Sequence, residues 1–96
     1  MISLDQRYKK DPSMVSREIA GEAILVPIRQ NVGDLESIYT LNETAARVWE
    51  LIDGKNTVRD IRDAIVTEFA VDEDEAEDDL VELLCDLESI TAILKI

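Results

Sequence analysis

Apolar residues recur along this chain with two different periods, and the change between them divides it near residue 42. Beyond that point the spacing is helical. In LNETAARVWELIDG, residues 41–54, Ala45, Val48, Trp49 and Ile52 fall at i, i+3, i+4 and i+7 and form one buried stripe. Asn42 is a good N-cap, Glu43 puts a carboxylate in the first turn, and Gly54 is the expected stop. Trp49, the only tryptophan, makes this helix the expected hub of the core. A second helix opens at Thr57, with Asp60 at capping-box spacing, and carries Val58, Ile61, Ile65 and Phe69. A third is capped by Asp72 with Glu75 at the matching place, and its stripe of Ala76, Leu80, Leu83, Leu84 and Leu87 runs on towards Ile90.

Before residue 42 the texture is that of strands. VSREIA and AILVPI flank Gly21-Glu22, a two-residue connection with glycine first, which suits a type II′ hairpin. Pro27 has no N–H to give, so regular pairing is expected to fail near Val26. After a loop over 29–34 with Asn31 and Gly33 as turn formers, LESIYTL alternates. Leu35, Ser37, Tyr39 and Leu41 share one face, and Glu36, Ile38 and Thr40 the other. The order predicts an α+β, winged-helix-like domain over residues 15–96, a three-stranded antiparallel meander followed by three helices. Residues 1–14, with little periodicity and Asp11-Pro12, are expected to be a flexible N-terminal arm whose Met1, Ile2, Leu4 and Tyr8 are candidates for docking. The tail TAILKI fits either an extension of the third helix or a short strand, and both stay open.

At 96 residues the chain is long enough to bury a core without staples. Its net charge of −12 is concentrated from residue 42 onward, where five Lys and Arg face sixteen Asp and Glu. Such a surface repels phosphate backbones and anionic membranes and favours neutral or cationic partners. The second and third helices have the layout of a helix-turn-helix. The reading helix, however, would begin DEDEAEDD and brings no base-reading arginine, so nucleic acid is not an expected partner. DEDEAEDD also lacks the sixth-position glycine of a calcium loop and reads as a solvated helix start. The absence of histidine removes the commonest general base and metal ligand, so neither catalysis, a metal nor a cofactor is expected. Cys85, beside Leu84 and with no nearby cation to lower its pKa, reads as a small core hydrophobe. No apolar run spans a membrane and no signal peptide is visible, which points to a cytoplasmic protein with no membrane partner.

What remains is the sheet. The third strand ends the meander at an edge beside the last helix, and the groove between them fits an extended peptide; the same open edge equally allows a homodimer.

Pro12, Arg17, GEAILV, then LNETAARVWELIDG, Thr57-Val58, Asp79-Leu80 and Leu83-Leu84 together resemble the PqqD family. These are the small proteins named for pyrroloquinoline quinone (PQQ) biosynthesis, whose fold also serves as the RiPP recognition element of peptide-modifying enzymes. The likeness covers residues 12–90, and LNETAARVWELIDG is its most specific part. It departs at the end of the third helix, where the family has a glycine and this chain runs Ser89-Ile90 into TAILKI.

The resemblance implies a noncatalytic peptide chaperone. The leader of a ribosomally made precursor peptide would add as a strand beside the third strand, and be presented to a modifying enzyme, often a radical SAM protein. Carried onto this chain, Ile38, Tyr39 and Thr40 offer backbone hydrogen bonds and side-chain pockets, and Asp78, Val81 and Cys85 line the opposite wall. Leu41, Trp49 and Leu84 lie beneath as core. The acidic wall implies a leader with Lys or Arg near its apolar anchors. The alternative is a winged-helix protein-interaction or self-association module with no part in peptide maturation.

Overall fold

The computed structural model describes residues 2–28 and 38–96. Eight elements follow in order: β1 (Tyr8–Lys10), β2 (Met14–Ile19), β3 (Glu22–Pro27), β4 (Tyr39–Leu41), α1 (Glu43–Leu51), α2 (Val58–Phe69), α3 (Glu73–Ser89) and β5 (Ile93–Lys95). The antiparallel sheet β2-β3-β4 and the three helices after it are the α+β arrangement expected. A separate antiparallel pair, β1-β5, joins the two ends of the chain.

The hairpin differs from expectation by one residue. Its turn is Ala20-Gly21, not Gly21-Glu22, because both central residues carry positive φ, 53° and 83°. That is the type I′ signature, whose twist matches the strands it joins. Pairing also runs further than Pro27 was expected to allow. Met14 stands opposite Pro27, and the Ile28 N–H donates to the Ser13 carbonyl at 2.7 Å. Among the described residues β4 faces Ala23 to Leu25, so no described strand on that side calls on a donor from Pro27. Of the third strand expected over 35–41, Tyr39–Leu41 is strand, Ile38 precedes it, and residues 35–37 lie outside the described residues, as does the loop expected over 29–34.

Each helix begins where its capping residue stands. The Asn42 side chain accepts from the Ala45 N–H. Thr57 and Asp60 make a complete capping box. Asp72 accepts from Asp74 and Glu75. Most stripe residues are buried as expected, Phe69 and Leu83 only partly, and in α1 Ala46 joins Val48 and Trp49 inside while Ala45 is half-buried. Trp49 is buried in the core at 4% exposed, with the Lys10 ammonium 5.2 Å from its ring centre.

The helix stops were less legible. α1 ends at Leu51, with the Ile52 N–H returning to Val48 and Trp49. Gly54 lies beyond, at φ +81°, where its N–H donates to the Tyr8 carbonyl at 2.9 Å and a Cβ would meet Ile96 at 3.3 Å. It serves a close approach of chain segments and not a helix stop.

In place of a flexible arm, residues 2–11 are woven into the fold. The Leu4 and Gln6 carbonyls accept from Arg59 and Val58, satisfying free N–H groups in the first turn of α2. Tyr8 is 1% exposed, and its hydroxyl donates to Glu88 Oε1 at 3.0 Å. At the other end α3 closes in a Schellman motif. Thr91 takes φ 56°, its N–H returns to Glu88, and the Ala92 N–H returns to Leu87. The tail then turns back as a strand, which settles the choice left open for TAILKI.

Candidate functional site

β4 is hydrogen-bonded to β3 along one side and to no described strand along the other. Beside that free side runs a groove of about 410 Å³. Its lining follows from the helix stripes. Ala45 and Val48 of α1, Ile65 of α2, and Ala76, Leu80 and Leu83 of α3 supply an apolar floor, with Val71 at one end. Tyr39, Thr40 and Leu41 make the strand wall. Glu75, Asp79, Glu82 and Asp86 make the helix wall, on one stripe of α3 with steps of four, three and four residues.

Tyr39 bridges the two walls, its hydroxyl 3.4 Å from Asp86 Oδ2. Its phenol is pushed above the usual tyrosine range, first by burial and then by the charge of Asp86, with Glu82 adding to it.

Of the residues expected at the site, the structure brings Tyr39 and Thr40 to the groove, with Ile38 exposed just before them. It does not bring Asp78, Val81 or Cys85 there. At 100° per residue they stand about a third of a turn round α3 from the acidic stripe. Cys85 is exposed, not a core hydrophobe, since Leu84 and Leu87 on either side take the buried positions. The groove-lining acids were within the run already singled out or just beyond it. Extending the core stripe of Ala76, Leu80 and Leu83 by one position towards β4 would have selected Glu75, Asp79 and Glu82.

Glu73 and Glu77 of α3 have a structural partner. Arg62, with a side chain 11% exposed, meets Glu77 at 2.7 Å, Asp63 at 3.0 Å and Glu73 at 3.4 Å. The contacts with Glu73 and Glu77 fasten α2 to the first turns of α3. Among the described residues no group of three acidic or sulfur side chains is placed to hold a metal ion, and no helix is long and apolar enough to cross a membrane.

A short sheet with an open edge, an apolar trough beside it and a charged helix wall define a small α+β binding domain. The chain belongs to the PqqD family: the family described as "Coenzyme PQQ synthesis protein D (PqqD)" matches residues 22–91. The solved structure of TbiB1 in complex with the TbiA(beta) leader peptide is similar to it, with a TM-score of 0.74 at 26% identity, covering 88% of this chain and 93% of that one. No curated protein matches the sequence.

Proposed function

We propose that this chain is a noncatalytic RiPP recognition element. It binds the leader of a ribosomally made precursor peptide as an added strand on the free side of β4, and presents it to a modifying enzyme. The observation that carries the reading is the side of β4 that pairs with no described strand and opens onto an apolar groove. An extended peptide there gains main-chain hydrogen bonds from the strand and places alternate side chains on the floor. The likeness to TbiB1, whose structure holds a leader peptide, supports the same reading. Ile38, Tyr39 and Thr40 are the strand-side contacts. On α3 the contact passes from Asp78, Val81 and Cys85 to Glu82, Leu83 and Asp86, which line the groove. The modifying enzyme is of the radical SAM kind that the family resemblance implies, and the work takes place in the cytoplasm, where precursor peptides are made.

The test is an amide NMR titration of the labelled chain with the leader half of a precursor peptide encoded beside its gene. Shifts gathered at residues 38–41 and along the Asp79 to Asp86 side of α3 are expected. No shifts at high micromolar peptide would leave the family's fold without this function, and sedimentation of the free chain would then test self-association through the open edge.

A further inference from the structure

Among the described residues the four acids of the groove wall are left without cations, and four of the five cations of the acidic half pair elsewhere. Among the described residues Arg47 pairs with Glu50 and Glu68, Arg59 with Asp5, Arg62 with three carboxylates of its own neighbourhood, and Lys95 with Glu88. No ion pair among the described residues involves Glu75, Asp79, Glu82 or Asp86. The facing wall is neutral, formed by Tyr39, Thr40 and Leu41. Like charges three and four residues apart on a helix repel one another. In a cleft with an apolar floor that field is focused instead of dispersed into water.

Spacing then decides what relieves it. Side chains two apart on an added strand stand about 6.6 Å from one another. Carboxylates four apart on α3 stand about 6 Å apart along its axis. The three-residue step between Asp79 and Glu82 rises about 4.5 Å. Neighbouring same-face side chains of a strand lying in the groove therefore fall opposite successive acids of the wall, though not in exact register along its whole length. Lysine and arginine can lay their alkyl stems on the apolar floor while the charged head reaches the rim.

We propose that the groove selects leader strands that carry a Lys or Arg two residues from an apolar anchor. The anchor rests on Ala45, Val48 and Leu83, and the cation lies against Asp79, Glu82 and Asp86. This specificity rests on the leader-binding reading above, and fixes the chemistry of its ligand.

A displayed library of random 12-residue peptides, selected on the intact chain and followed by NMR mapping and affinity measurement of the enriched sequences, tests it. Enriched peptides are expected to pair a basic residue with an apolar one and to map to residues 38–41 and the groove side of α3. The double reversal D79K/E82K, at exposed positions that leave the core untouched, should bind them at least about tenfold more weakly and prefer their Lys→Glu versions. Asp74→Lys, on the far side of the same helix, should bind as the native chain does. Groove-bound peptides without basic residues, or affinities unmoved by D79K/E82K, would overturn the charge selection and leave leader binding standing. An absence of enriched peptides, or binding that maps away from the groove, would overturn both.

Discussion

Ala20 and Gly21 both adopt positive φ where the hairpin turns, and only the glycine does so without strain. Ala20 is exposed and its side chain is not part of the core, so its φ of 53° is the feature to relieve. Ala20→Asn, which places the residue favoured at that position of a type I′ turn, is expected to raise stability by about 0.5–1 kcal/mol. Thermal unfolding checks it, and an unchanged or lower midpoint would contradict the turn assignment. The same residue shows why the turn was misplaced from sequence. Gly21 announces a positive φ, but nothing in an alanine side chain announces that it will share one.

At the scale of elements, a side-chain cap stands at every helix start, and at α2 it is a full capping box. Asp60 is held below the usual carboxylate range, chiefly by the backbone N–H of Thr57, so the pair adds stability that is lost as pH falls through the depressed value. Thr57→Ala is expected to cost about 1 kcal/mol, read as a lower midpoint in urea with an unchanged slope. These starts were legible because a cap is local: Asn42, Thr57 and Asp72 announce themselves within four residues. The groove's existence was legible for a similar reason, since the third strand runs straight into α1 and leaves its other side to α3. Which side of α3 lines the groove was not. Asp78 and Asp79 differ by one residue in sequence and by 100° in direction, and only the packing of α3 against α2 and the core fixes the rotation. Helix ends were the least legible, because the positive φ that closes α3 falls on Thr91, which does not announce it, while the glycine that announces one, Gly54, lies beyond the stop at Leu51.

For the molecule as a whole, the decisive long-range feature is the closure made by β1 and β5. Tyr8 enters the core from one end of the chain while Ala92 and Ile93 enter from the other, and neither end shows a period long enough to be read alone. Burial pushes the Tyr8 phenol above its usual range, and the hydrogen bond to Glu88 adds to it. The folded chain thus keeps this proton longer than the unfolded one. Stability from Tyr8 is therefore complete below about pH 10, where a free tyrosine begins to ionise, and declines as pH rises beyond it. Tyr8→Phe is expected to flatten that alkaline decline in a series of urea melts, and a decline as steep as the native chain's would show that other groups set it. The pairing of Tyr8 with Lys95 has another consequence. Start and finish stand side by side, and no residue of β1 or β5 lines the groove. The domain can therefore be spliced whole into a surface loop of a host protein, or its ends linked and new ones opened elsewhere, with the groove left facing outward.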